Sequence, residues 1–210
     1  GSDRVKVEVL RLLNEKYGIT EEDFISAELE AVPAANARDI GFDRSLIGAY
    51  GHDDRVCAYA ELAALLALDK PEKTADKEEI GSEGVSGMQG DYFEYVMASL
   101  CHAQGVGLRE CLAHSFCLSA DVTAAYDPNF SEVYERRNSA YANYGIGLCK
   151  YTGSGGKGGA SDASAEVVGK IRKLFNDEGV IWQMAELGKT DAGGGGTVAK
   201  YMAKRNIDTL

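Results

Sequence analysis

Apolar residues crowd Val5–Tyr17, where Val9, Leu10, Leu12 and Leu13 supply one side and Gly18 follows as a stop. That spacing predicts an opening helix. Phe24–Val32 reads as a strand, ended by Pro33. An almost wholly apolar helix is predicted from Val56 to about Leu68, directly after Asp53-Asp54. Tyr92–His102 places Tyr92, Phe93, Val96, Met97 and Leu100 at helical spacing. Phe116–Ala120 predicts a short strand that ends at Asp121, and Ile146–Tyr151 predicts another. In Ala163–Asn176 the residues Val167, Val168, Ile171, Leu174 and Phe175 point one way, with Gly179 as the cap. A strand over Val180–Met184 and a last helix over Thr197–Lys204 complete the pattern.

Strands alternating with helices predict an α/β sandwich with a mostly parallel sheet. Sheets of this type present functional side chains at the carboxyl ends of their strands. There is no internal repeat, and the low-complexity stretch is the glycine-rich run Gly153–Gly159.

The 210 residues suffice for one sizeable domain with its own core, and 45% of them are apolar. The net charge of -11, with no basic run, argues against a nucleic-acid partner or an anionic membrane surface. No apolar stretch approaches the ~20 residues of a membrane span. The five cysteines (Cys57, Cys101, Cys111, Cys117 and Cys149) are odd in number and show no CxxC spacing. That pattern disfavours a disulfide framework and fits small buried hydrophobes in a reducing, cytoplasmic setting.

Chemistry concentrates in the acidic residues. Glu78 and Glu79 stand side by side within Asp76–Ser82. Two such carboxylates can divide labour, one binding a metal and the other taking a proton from the water that the metal activates. Asp53-Asp54-Arg55 lies upstream and Ser119-Ala120-Asp121-Val122 downstream. Each group has a plainer reading. Glutamate pairs are common on surfaces, Asp53-Asp54 suits a helix start, and Asp121 suits a turn after a strand. Gly153–Lys157 is too short in spacing for a phosphate loop, and Gly158 stands where Ser or Thr is needed.

Five blocks in order carry a resemblance: GAYGHDDRVCAYAEL, DKEEIGSEGVSGMQ, SADVTAAYDPNF, KYTGSGGKGGASDASAE and ELGKTDAGGGGTVAKY. They resemble the M18 family of metallo-aminopeptidases, the aspartyl aminopeptidase and aminopeptidase I group, from Val5 to Leu210. The resemblance implies a three-layer α/β/α sandwich and an enzyme that removes N-terminal amino acids from peptides. It places two Zn2+ ions in the site, with Co2+ or Mn2+ as replacements. Asp53 would bridge ions held ~3.5–4 Å apart, with Asp54 turned away from them. Glu79 would ligate one ion and Asp121 the other, while Glu78 would act as general base. Lys150, Gly195, Gly196 and Thr197 would lie at the substrate.

Ala124 stands where the aspartyl-selective branch has a histidine, which implies neutral or apolar N-terminal residues such as leucine. Residues 1–24 would be the tail of the family's inserted dimerisation domain, with Gly1-Ser2 as a tag remnant. Residues 25–210 would be the catalytic domain, incomplete at its C-terminal end. Homo-oligomers, often dodecamers built from dimers, are implied as well.

Two departures stand out. The family site also uses two histidines, and neither His52, His102 nor His114 occupies a matching block. Asp69–Lys77 has no apolar run where the family has a strand. These departures imply an internal portion of such an enzyme. The alternatives are an inactive assembly scaffold with the same fold, and another two-metal hydrolase of the same sheet type.

Overall fold

The computed structural model describes residues 3–27, 30–68, 83–154, 161–189, 192 and 194–210. The chain divides into two compact units, Gly1–Tyr50 and Gly51–Leu210.

In the first unit, α1 (Arg4–Tyr17) ends where Gly18 turns left-handed at φ 73° and its N–H donates to the Asn14 carbonyl. A 3₁₀ turn follows over Glu22–Ile25, braced by the Thr20 amide and hydroxyl donating to Asp23 at 2.7 and 2.8 Å. This corrects the strand predicted over Phe24–Val32, because no described residue of that run belongs to a strand. Ile25 is 86% exposed, so apolar character there reflects no sheet face. β1 (Arg38–Ile40) and β2 (Leu46–Gly48) form an antiparallel hairpin with Ile40 opposite Leu46.

The second unit begins with α2 (His52–Ala67), α3 (Tyr92–Gln104) and α4 (Leu108–Ala113). It continues through β3 (Phe116–Cys117), β4 (Ile146–Leu148), β5 (Tyr151–Ser154), β6 (Ser161–Asp162) and α5 (Ala165–Asp177). β7 (Trp182–Met184), β8 (Gly194–Gly195), α6 (Ala199–Ala203) and β9 (Asp208–Thr209) complete it. The fold is α/β, as the alternation predicts. β3 pairs parallel with β9, and β4 pairs parallel with β7. β5 takes β6 and β8 as antiparallel neighbours.

The strands are shorter than their apolar runs. The Phe116–Ala120 run pairs only at Phe116 and Cys117, after which the Ser119 amide donates to the Leu210 carbonyl at 2.7 Å. The Ile146–Tyr151 run breaks at Cys149-Lys150 into β4 and β5. Gly145 enters β4 at φ 87°, and a Cβ there would lie 2.2 Å from the Ile181 carbonyl oxygen. Only glycine permits that approach.

Two apolar clusters hold the unit. Leu148, Ala163 and Val168 are buried together, with Ile171, Phe175, Trp182 and Leu210 packed around them. This joins α5 to the β4–β7 pair. Met88, Leu112, Tyr201, Met202 and Ile207 form the other, flanked by Phe93, Leu108, Cys117 and Val198. α5 starts cleanly because Ser164 Oγ accepts from the Val167 amide at 3.3 Å. No helix among the described residues is long and apolar enough to cross a membrane.

Candidate metal centre

The chain enters α2 through a left-handed Gly51 at φ 65° and an extended Asp53 at φ -84°, ψ 115°. The peptide bond between Asp53 and Asp54 is cis. Because Asp53 is extended, the regular helix begins at Asp54. Neither aspartate is the N-cap, and no side chain caps this end. The helix-start reading accounts for their place in the sequence but not for any capping bond.

Asp121 follows β3 on an irregular segment, where its own carboxylate accepts from the Val122 amide at 2.6 Å. One carboxylate oxygen from each of Asp53, Asp54 and Asp121 lies within 4.8 Å of the others. The structure thus brings together Asp53 and Asp121, two of the three carboxylates expected as ligands. The carboxylate of Asp54, expected to turn away from the metals, lies beside these two. Glu78 and Glu79, and the Asp69–Lys77 segment before them, lie outside the described residues.

Burial pushes the Asp121 carboxyl above the usual aspartate range, and the charges of Asp53 and Asp54 add to the rise. Asp54 Oδ1 is buried with no hydrogen-bond partner among the described residues. The Cys57 thiol, one turn further along α2, is driven up to about 11 by burial and then by Asp54. Glu61, a turn beyond, is raised by burial and again by Asp54. Three convergent carboxylates, one with an orphaned oxygen, form a set of hard oxygen donors in a half-dry setting. A divalent cation fits that set, because it supplies the orphaned oxygen with a partner and offsets the mutual repulsion. Zn2+ accepts carboxylate oxygen together with imidazole. His52 is exposed at the head of α2, and among the described residues no histidine joins the cluster.

The expected substrate residues stand elsewhere along the strand ends. Lys150 follows β4 and is ion-paired with Asp162, while its carbonyl accepts from the Ala163 amide at 2.8 Å. Gly195 pairs with Gly153 across the β5–β8 ladder, and a Cβ on Gly195 would meet Leu187 at 2.9 Å. Thr197 Oγ1 accepts from the Ala199 amide at 3.2 Å, so it helps to open α6. A Cβ on Gly196 would sit 3.6 Å from the Lys200 ammonium.

Sequence reasoning missed Glu186. It follows β7 as Lys150 follows β4, and its amide donates to the Asn138 carbonyl at 2.7 Å. Burial raises its carboxyl, Lys150 partly opposes this, and Asp162 adds to it. The signal that finds Asp121, a carboxylate just past an apolar strand, also applies to Glu186.

The sequence profile described as "Aminopeptidase I zinc metalloprotease (M18)" matches residues 1–210. A "Probable M18 family aminopeptidase 1" of Clostridium acetobutylicum is 49% identical over 216 residues, covering 99% of this chain and 46% of that protein. The chain belongs to the M18 family. A crystal structure of an M18 aminopeptidase from Thermotoga maritima superposes with a TM-score of 0.85 at 48% identity, over 97% of this chain and 47% of that one. A dodecamer structure of mApe1 from Saccharomyces cerevisiae shares the fold at a TM-score of 0.68 and 23% identity, over 97% of this chain and 47% of its own. The M18 chain described here spans about half the length of the curated relatives that it matches. The family description names zinc, in agreement with the oxygen-donor cluster.

Proposed function

We propose that this chain carries metal-binding and catalytic parts of an M18 zinc aminopeptidase that removes N-terminal residues from peptides. The observation that carries the reading is the convergence of the Asp53, Asp54 and Asp121 carboxylates. In this reading Asp53 would be the ligand common to two ions, and Asp121 and Glu79 would each help to hold one of them. When bound, the ions lower the pKa of a water and polarise the scissile carbonyl. Glu78 accepts a proton from the attacking water and returns it to the departing amine. Asp54, brought against both ligands, steers them through its charge.

The substrate side follows from the strand ends. Lys150 is ion-paired with Asp162 at the end of β4. The loop through Gly195, Gly196 and Thr197 gives a substrate backbone a close approach. Ala124 offers no donor to an acidic side chain, which favours neutral or apolar N-terminal residues such as leucine. Residues 1–24 belong to a dimerisation region and 25–210 to the catalytic domain. A homo-oligomer is proposed from the dodecameric relative. A cytoplasmic setting fits the free thiols of all five cysteines.

The deciding experiment is Glu78→Gln in the full-length protein. Turnover of leucine p-nitroanilide is expected to vanish while zinc content stays the same. Unaltered turnover would remove the base assignment. A panel of aminoacyl p-nitroanilides in which aspartyl or glutamyl substrates win would sink the apolar preference.

A further inference from the structure

The carboxamide of Gln183, in the middle of β7, bonds to main chain through both of its polar atoms. Nε2 donates to the Tyr141 carbonyl at 3.0 Å and to the Gly145 carbonyl at 3.1 Å. Oε1 accepts from the Tyr141 amide at 2.9 Å. The side chain thus exchanges two bonds with one residue, as a neighbour in an antiparallel ladder would. Tyr141 stands 42 positions earlier in the chain. A primary amide offers donor and acceptor together, which neither a carboxylate nor an apolar side chain does.

What Gln183 holds is the backing of the Asp121 segment. Ala140, next to Tyr141, is 3% exposed. Its carbonyl accepts from the Tyr126 amide at 2.8 Å, and Ala125 and Ala140 form a parallel bridge. The rings of Tyr126 and Tyr141 lie 5.7 Å apart between centres. Thr123 packs against β4, because a Cβ on Gly147 would lie 3.1 Å from Thr123 Cγ2 and 3.9 Å from the Ala140 Cβ. Gly147 is the residue that pairs with Gln183 across the β4–β7 ladder. Residues 123–126 are therefore held between Gly147 and Ala140. Asp121 stands two residues before Thr123, a chain reach of at most ~7 Å. Asn138 is tied to the chain beyond β7 separately, by the Glu186 amide at 2.7 Å, so losing the Gln183 bonds should loosen the backing without freeing it.

We infer that Gln183 is a positioning residue for the metal centre: by holding Tyr141 it fixes Ala140, and through Ala140 the segment that sets where Asp121 meets Asp53. The inference rests on the ligand role proposed above for Asp121. Groups that orient a metal ligand are worth on the order of 10- to 100-fold in metal affinity. Gln183 acts through intervening residues, so the lower end of that range is expected.

The test uses Gln183→Met and Gln183→Glu in the full-length protein. Methionine keeps the length of the side chain and loses all three bonds. Glutamate keeps the acceptor for the Tyr141 amide and loses both donations. Two readouts are needed, both well below the unfolding temperature: hydrogen exchange at the Tyr126 amide, and zinc affinity by competition with a chelator. Gln183→Met should exchange faster at Tyr126 while the amides of α5 keep their protection. It should bind zinc about 10-fold more weakly. Gln183→Glu should change both readouts in the same direction, and it decides the matter if Gln183→Met does not fold. Ser164→Ala, which weakens the start of α5 instead, should leave zinc affinity unchanged. An equal loss of affinity in Ser164→Ala would trace the effect to general destabilisation and overturn the inference. Faster exchange at Tyr126 with unchanged zinc affinity would make the bonds merely structural and overturn it too, as would unchanged exchange. Unaltered zinc affinity in Asp121→Asn would instead remove the ligand role proposed above, and the positioning role with it.

Discussion

Leu148 and Met184 face each other as the last residues of two parallel strands, and the Ala185 amide donates to the Leu148 carbonyl at 3.1 Å. The register brings Lys150 and Glu186 off the sheet at the same end. The Cys149 thiol, next to Lys150 in the chain, is raised first by burial and further by the charges of Glu186 and Asp121, while Thr123 opposes the rise. The carboxylates of Glu186 and Asp121 thus both act on one thiol past the end of β4.

Glu186→Gln should show a pH-dependent gain in stability. The carboxyl of Glu186 is raised above its ordinary 4.5, mainly by burial. A raised carboxyl favours the folded state below the ordinary value and loses that advantage as pH rises through the folded-state value. At pH 7 the ionised group is a penalty that glutamine does not carry. The variant should therefore melt higher at pH 7, and the difference should close as pH falls towards 4.5. Thermal unfolding of both proteins across that range measures it, and a constant difference would contradict the assignment.

Asp121→Asn should change sign with zinc. Without metal the substitution removes one of three clustered carboxylates, so the protein should melt higher. With zinc present it removes a donor, so the protein should melt lower than wild type and retain less metal. Each shift is expected to be a few degrees, the scale of about 1 kcal/mol. Melting curves with and without zinc, together with metal analysis, give the comparison. The same sign in both conditions would separate Asp121 from the metal.

Gly145→Ala should be severely destabilising. Its φ of 87° and the 2.2 Å approach to the Ile181 carbonyl leave no room for a methyl group. Either the strand pair opens or β4 shifts, and a loss of about 2 kcal/mol or more is expected. Chemical denaturation measures the loss, and a change below about 0.5 kcal/mol would mean the backbone adapts.

Ser164→Ala removes the side-chain acceptor at the start of α5. The expected cost is about 1 kcal/mol. Ser164→Asp should retain most of the stability, because it restores an acceptor at the same cap. Loss with both substitutions would point to packing rather than capping.

The helices were legible in the sequence because their apolar spacing is regular. The predicted spans over Val56–Leu68, Tyr92–His102 and Ala163–Asn176 correspond to α2, α3 and α5 within a few residues. Strands were less legible, since an apolar run shows that a segment can pair but not how far its partner extends. Phe116–Ala120 pairs at two positions because β9 offers only Asp208 and Thr209. Phe24–Val32 has the composition of a strand, yet Ile25 and Val32 are exposed and a 3₁₀ turn occupies its start. At the site, Asp53 and Asp121 could be picked out as carboxylates at element ends. That Asp54 also comes within 4.8 Å of both carboxylates is set by the chain path at the start of α2, which no periodicity encodes. Glu186 lies two residues past Met184, whereas Asp121 directly follows its apolar run, so the strand-end signal is weaker at Glu186.

Helix α2 carries two carboxylates on its more buried side. Asp54, Cys57, Glu61 and Leu65 form its half-buried row, while Val56, Tyr59, Leu62 and Leu66 are exposed. An ordinary amphipathic helix would be arranged the other way round. Fold and chemistry thus compete for one helix face. Substituting Asp54 with an apolar residue would relieve a half-buried charge and remove one carboxylate from the acidic centre. Selection for thermal stability alone would be expected to erode this row first, and a variant library sorted in that way would lose metal binding as it gained heat resistance.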